Sequence, residues 1–265
     1  QSKGIVEGMR LVLRLFPNAK GVIAIEDNKP EAIEAMTHAC EGDANLSVLP
    51  VMAKYPEGGE RSLIGVVTGR QLRFGQLPAD LGCVVCNVST LNAIYRAVCK
   101  TEPLMGRLFT VSGDAVANPH TLFVRIGTSC SELLEAAGGI KPGSEARKIL
   151  CGGPMMGIAM STLNAPIAKN NNALTVLASD EVELAEQQMT ACLRCGRCGH
   201  VCPIGLVPQM MAEAAERQDY ERYEKKLYGL DCIACGSCTY ICPAKRPLMQ
   251  LFKQTKAVIM AAKRK

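Results

Sequence analysis

The sequence predicts three consecutive units of different class: an α/β portion over residues 1–102, a small α+β unit over 103–178 and a cysteine-rich helical region over 179–265. Three observations carry this. Helical and strand patterns alternate through the first hundred residues, the order expected of a layer built around a mostly parallel sheet. From Arg107 the texture changes to short strands with a single helix among them. Beyond Asp180 a tight cysteine motif occurs twice.

The elements follow in order. Residues 5–16 have the apolar spacing of an amphipathic helix, and Gly21 to Ile25 reads as a buried strand that ends at Glu26-Asp27-Asn28. Pro30 suits a helix start, and 31–40 continues with helical spacing. Residues 47–52 are a second strand, 60–69 a short helix, 82–88 a third strand and 91–100 a closing helix. In the second unit, strands at 109–113, 121–127, 148–153 and 173–177 surround a helix at 131–137, so one helix is laid on a sheet. A charged helical linker, 180–188, leads into the cysteine region. Between the two motifs, 206–230 is rich in Met, Ala, Glu, Arg and Lys, a composition that favours helix.

Composition narrows the function classes. The formal charge of +5 does not by itself call for nucleic acid, and no basic stripe is interleaved with aromatics. No apolar run approaches the roughly 20 residues needed to cross a bilayer, and the N-terminus lacks the order of a signal peptide. The first residues run straight into an apolar-periodic stretch, so the chain is expected to begin inside a domain. Of 14 cysteines, six (Cys40, Cys83, Cys86, Cys99, Cys130, Cys151) are scattered among apolar residues and are expected to pack as small hydrophobes. Cys83 and Cys86 invite a reading as a redox pair, but a strand points residues three apart to opposite faces. Reduced thiols and a cytosolic location follow.

The other eight cysteines carry the chemistry. Cys192-x2-Cys195-x2-Cys198-x3-Cys202-Pro203 recurs as Cys232-x2-Cys235-x2-Cys238-x3-Cys242-Pro243. This is the pattern of bacterial ferredoxins with two [4Fe–4S] clusters. Three thiolates within seven residues wrap one face of a cubane, and Gly196 or Gly236 lets the backbone approach it. The cysteine before proline leaves that loop and ligates the other cluster. One cluster is therefore assigned to Cys192, Cys195, Cys198 and Cys242, the second to Cys232, Cys235, Cys238 and Cys202. Zinc is the rival, but its structural sites take paired knuckles about one ion, which leaves a third evenly spaced cysteine unexplained. His200, inside the first motif, is expected beside the cluster rather than on it.

Two segments of the α/β portion suggest a second site. Tyr55-Pro56-Glu57-Gly58-Gly59-Glu60 is a glycine turn that opens a helix, and Asn87-Val88-Ser89-Thr90 joins a strand to a helix. A helix N-terminus after a strand favours phosphate. Ordinary capping is the commoner account of each segment taken alone. No G-x-G-x-x-G occurs.

The cysteine repeat with its Cys242-Pro-Ala-Lys-Arg-Pro-Leu248 tail resembles the C subunit of the Rnf electron transport complex. So do Glu26-Asp-Asn-Lys-Pro30, Tyr55 to Glu60, Leu77-Pro-Ala-Asp80, Val111-Ser-Gly-Asp114 and Cys151-Gly-Gly-Pro-Met-Met-Gly157. That family is related to the NADH-oxidising flavoprotein subunit of respiratory complex I. The resemblance implies an FMN/NADH-binding α/β domain, a soluble-ligand-binding β-grasp domain and a helical two-cluster ferredoxin domain. It places Tyr55, Gly58 and Glu60 at a flavin and nicotinamide pocket, and Asn87 and Thr90 near the FMN phosphate. The family's N-terminal part, with its glycine-rich flavin loop, is not in these 265 residues, so the site is expected to be incomplete here. Implied too are NAD(H) as substrate, ferredoxin as an indirect partner, and other subunits of a membrane complex that couples electron flow to Na⁺ or H⁺ translocation. The chain would be a peripheral subunit at the cytoplasmic face. Two other functions fit the same domain series: a cobalamin reductase of the propanediol-utilisation type, and a plain iron–sulfur adaptor.

Overall fold

The computed structural model describes residues 1–264. The chain divides into two compact units, residues 1–104 and from 105 on.

The first unit contains α1 (Ser2–Leu13), β1 (Gly21–Glu26), α2 (Pro30–Cys40), β2 (Leu46–Val51), α3 (Glu60–Thr68) and α4 (Val88–Lys100). Strands β1 and β2 pair in parallel, from Gly21 opposite Leu46 to Glu26 opposite Val51, with α2 as the crossover. Their apolar residues pack with Ile5, Val6, Met36 and Leu91 into one core. Helices α1 and α4 meet backbone to backbone. A β-carbon on Gly8 would fall 1.9 Å from the Leu91 carbonyl oxygen, and one on Gly4 would fall 2.1 Å from Asn92 Oδ1. Gly69, at φ 71°, ends α3 by donating its N–H to Gly65.

One expectation fails here. Residues 83–87 are not a third strand, and the sheet has two strands only. Cys83-Val-Val-Cys86 has β propensity, but propensity supplies no partner for its backbone. The thiol of Cys83 turns instead to the Leu81 carbonyl, at 3.5 Å, and none of the 14 cysteines forms a disulfide.

The second unit begins with a five-stranded sheet. Strands β3 (Gly106–Ser112), β4 (His120–Arg125), β5 (Lys148–Cys151), β6 (Ile158–Ala159) and β7 (Ala173–Leu177) lie in the order β4-β3-β7-β5-β6. Only the β3–β7 pair is parallel. Alternation sends Phe109, Val111, Leu174 and Val176 to one face, where α5 (Cys130–Ala136) covers them with Cys130, Leu133 and Leu134. Ser129 and Glu132 form a reciprocal capping box at the start of α5.

Then follow α6 (Glu181–Gln187), α7 (Arg197–His200), α8 (Pro208–Glu216), α9 (Ser237–Tyr240) and α10 (Leu248–Lys263). The long helix expected over 206–230 is shorter. It ends at Glu216, Gln218 takes a positive φ of 57°, and a π-type turn at Arg222–Lys226 brings Tyr223 into the core. The Tyr223 ring is fully buried against Phe252, with centroids 6.2 Å apart, and Gly229 leaves room for it. Helix α10 buries Leu248, Phe252, Thr255 and Ile259 on one stripe. Lys256 donates to the Leu230 carbonyl at 2.9 Å and Lys263 pairs with Glu224, so this basic tail packs on its own unit.

Candidate functional site

The two cysteine motifs fold alike. Their backbones repeat at an offset of 40 residues, as Cys192 and Cys232 show. Arg194 and Ala234 have φ of 53° and 54°, and Gly196 and Gly236 have 74° and 85°. Gly205 and Lys245, three residues past the last cysteines, also turn left-handed, at 70° and 53°. A residue with a β-carbon held at positive φ costs on the order of 1–3 kcal/mol, so Arg194 and Ala234 call for a reason. The reason is at hand: the Arg194 N–H donates to Cys192 Sγ at 3.5 Å and the Ala234 N–H to Cys232 Sγ at 3.4 Å. The backbone is turned to aim donors at sulfur, and such bonds stabilise charge on a metal–sulfur centre.

The fourth cysteines cross over. One cavity is lined by Cys232, Cys235 and Cys238 together with Cys202 of the other motif. A second is lined by Cys192, Cys195 and Cys198 together with Cys242. Around the first cavity stand Ile204, Leu206, Met211, Met249 and Phe252, and around the second Gln209, Ala212, Arg246 and Leu248. Cys198 Sγ is 3.3 Å from Gln209 Oε1, and the Leu206 N–H reaches Cys202 Sγ at 3.3 Å. The Thr190 N–H to Ala244 carbonyl bond, at 3.1 Å, ties the entry of the first motif to the exit of the second, and Arg246 pairs with Glu216 at the end of α8.

These donor sets fit a cluster better than an ion. Zinc needs thiolates within about 2.3 Å of one point. Among the described residues no three His, Cys, Asp or Glu groups converge in that way; the thiols face each other across a cavity instead. Burial pushes the Cys238 thiol up to about 12, with the neighbouring Cys232 and Cys235 adding to the rise. Burial raises Cys232 and Cys198 as well. Metal must therefore displace protons from these thiols, which couples loading to the folding of the region. The Tyr223 hydroxyl is buried without a hydrogen-bond partner, and after burial itself the charges of Cys232 and Cys238 do most to raise its pKa. An orphan donor beside buried sulfurs is what a sulfide-rich group would satisfy. His200 is exposed and lines neither cavity.

The five flavin-side residues are placed differently. Tyr55, Gly58 and Glu60 lie on the exposed turn that leads to α3, where a cis peptide bond joins Tyr55 to Pro56. Asn87 caps α4: its Oδ1 accepts from the Ser89 N–H at 2.9 Å, and Thr90 stands exposed in the first turn. An apolar cleft in this unit is lined by Ile23, Ile64, Val67, Val85, Cys86 and Val88, among others, but by none of the five. A helix N-terminus able to receive phosphate is present. The five residues do not by themselves enclose a flavin ring.

Parallel α/β portion, five-stranded sheet and crossed thiol pockets together define a chain of three parts, the last with the donor sets of a dicluster protein. Family models match in that order: the Nuo51 FMN-binding domain over residues 1–96, the SLBB domain over 108–159 and the 4Fe-4S dicluster domain over 191–246. The chain is 42% identical, over 98% of its length, to the C subunit of the proton-translocating ferredoxin:NAD(+) oxidoreductase complex of Clostridium ljungdahlii, of which it covers 56%. It is 40% identical over its whole length to the C subunit of the Na(+)-translocating complex of Acetobacterium woodii and covers 59% of it. To the C subunit of a Haemophilus influenzae ion-translocating oxidoreductase complex it is 43% identical over 98% of its length, covering 40% of that protein. Over nearly its whole length the chain is similar to these C subunits, and it spans about half the length of the curated relatives it matches.

In fold it is similar to two structures of NAD+-reducing [NiFe]-hydrogenase. The H2-reduced form gives a TM-score of 0.58 at 22% identity over 97% of this chain and 52% of that one. The air-oxidised form gives 0.62 at 16% identity, over 98% and 56%.

Proposed function

We propose that this chain is an electron-transfer subunit of a membrane complex that couples ferredoxin:NAD⁺ oxidoreduction to Na⁺ or H⁺ translocation. The observation that carries the reading is the crossed lining of the two thiol pockets, three cysteines from one motif and the fourth from the other. Cys192, Cys195, Cys198 and Cys242 would hold one [4Fe–4S] cluster, and Cys232, Cys235, Cys238 and Cys202 the other. Bound there, such clusters accept and release single electrons. The chain's own part is to aim N–H donors at the sulfurs and to bury one pocket among apolar residues. FMN and NAD(H) would act at the 1–102 domain, with Tyr55, Gly58, Glu60, Asn87 and Thr90 contributing. The reading divides the chain into domains at 1–102, 103–178 and 179–265; the order of the three family matches supports it, and the break after Leu104 supports the first boundary.

No helix among the described residues is long and apolar enough to cross a membrane, and the relatives are named as subunits of ion-translocating complexes. The relatives' names support a place beside membrane subunits, and the reading puts the chain there as a peripheral subunit on the cytoplasmic face. Anaerobic purification tests the core of the reading. About eight irons and eight acid-labile sulfides per chain are expected. Stoichiometric zinc without labile sulfide would overturn it.

A further inference from the structure

The two copies of the cysteine repeat serve as controls for each other, and they differ in what covers them. Residues 231–237 are buried or half-buried throughout, and Cys235 is buried. Part of the cover comes from the β-grasp loop 152–157, where a β-carbon on Gly236 would stand 3.3 Å from the Met155 carbonyl oxygen and 3.4 Å from its methyl group. Residues 191–197, the equivalent stretch of the first motif, are all exposed, Cys192 and Cys195 included. A β-carbon on Gly196 would meet nothing within 4 Å, and Leu193 is 64% exposed. Charge differs in the same sense. Where the covered copy has Ala234 and Ser237, the open copy has Arg194 and Arg197, both exposed. No Asp or Glu occurs from Gln187 to Ala212.

We propose that the open face at 191–197 is the docking surface for an acidic redox protein, and that the Cys192/Cys195/Cys198/Cys242 pocket is where electrons cross between that partner and this chain. The inference rests on the assignment of clusters to the thiol pockets. An exposed apolar residue followed by two exposed arginines, with no carboxylate nearby in sequence, complements an acidic rim around an apolar contact. One electron crosses per encounter: the donor is oxidised by one, the acceptor reduced by one, and no bond or proton need move. The covered pocket, shielded by the β-grasp loop, then serves transfer within the chain.

The test is to make the open copy like the covered one with Arg194→Ala and Arg197→Ser. Ala234 shows that alanine accepts the same backbone turn and makes the same N–H to sulfur bond. Iron and labile sulfide are counted first, so absence of clusters in wild type is read as failure of the cluster assignment, not of this one. Affinity of the anaerobic holoprotein for a small acidic [4Fe–4S] ferredoxin is then measured against salt. About a tenfold loss at low ionic strength, with a flatter salt dependence, is expected. In paramagnetic resonance, an anionic lanthanide chelate should speed relaxation of the Cys192-side centre far more than of the Cys232-side centre. The proposal is overturned if the double variant binds the ferredoxin with wild-type affinity and salt slope, or if the chelate relaxes both centres alike.

Discussion

Gly236 faces Met155 so closely that a β-carbon there would stand 3.3 Å from the Met155 carbonyl oxygen, which sets the second cysteine motif beside the β-grasp loop. The closeness sets an order between two similar substitutions. Gly196→Ala and Gly236→Ala both place a β-carbon at positive φ, a penalty of roughly 1–2 kcal/mol each. Only at Gly236 must the Met155 backbone also give way. Gly236→Ala is therefore the more destabilising and selectively broadens the resonance of the Cys232-side centre. Denaturant unfolding of the two holoproteins, alongside their spectra, checks the order.

Crossed pockets make a second prediction. Cys242→Ala removes a thiol that lines the cavity of Cys192, Cys195 and Cys198, and Cys202→Ala removes one from the cavity of Cys232, Cys235 and Cys238. Each substitution should damage the centre held by the distant motif. Spectra with the two centres resolved decide the matter, and damage to the locally encoded centre would refute the crossing.

In the first unit, Gly8→Ala should destabilise by about 1–3 kcal/mol, the usual range for overpacking. The obstruction at 1.9 Å is the Leu91 carbonyl, a backbone atom that cannot rotate aside. Gly65→Ala, inside α3 with its nearest neighbour at 3.7 Å, should stabilise by about 0.5–1 kcal/mol. Thermal unfolding of the pair reads both signs.

Acid behaviour of the same unit depends on Asp43. Its carboxylate accepts from Arg10 Nε at 2.9 Å, and that bond, helped by the Asn45 N–H, holds its pKa below the usual carboxylate range. A folded-state pKa below the unfolded value means that the contribution is present above about pH 4 and lost as pH falls through the folded pKa. Asp43→Asn should lower stability at neutral pH and lessen the loss on acidification. Equal acid sensitivity of variant and wild type would refute this.

What the sequence revealed follows the range of the interactions involved. Ligand spacing is local chemistry, so all eight thiols and their two pockets were legible from Cys192 to Cys242. Pro30 marked a helix start for the same reason, whereas the Ser129–Glu132 box, equally local, went unread. The strand expected at 82–88 failed because pairing depends on a neighbour that Val84 and Val85 cannot specify. The helix expected over 206–230 failed because composition does not show that Tyr223 must turn into the core over Gly229. The Gly4 and Gly8 seam went unread although its signal, two glycines four apart on an amphipathic helix, was available. The Met155 cover on Gly236 bridges some eighty positions and left no local trace.

The duplicated motif has one further consequence, for damage. Because each copy supplies the last thiol of the other's pocket, the pockets are not independent compartments. With clusters in the two pockets, oxidants would reach the bare loop at Cys192 and Cys195 first. Loss of iron there would free Cys242, and with it the segment from Pro243 into α10, whose Leu248 and Phe252 help to wall the two cavities. Injury at the open end would then spread to the sheltered end through the polypeptide itself, and repair would have to rebuild both centres together.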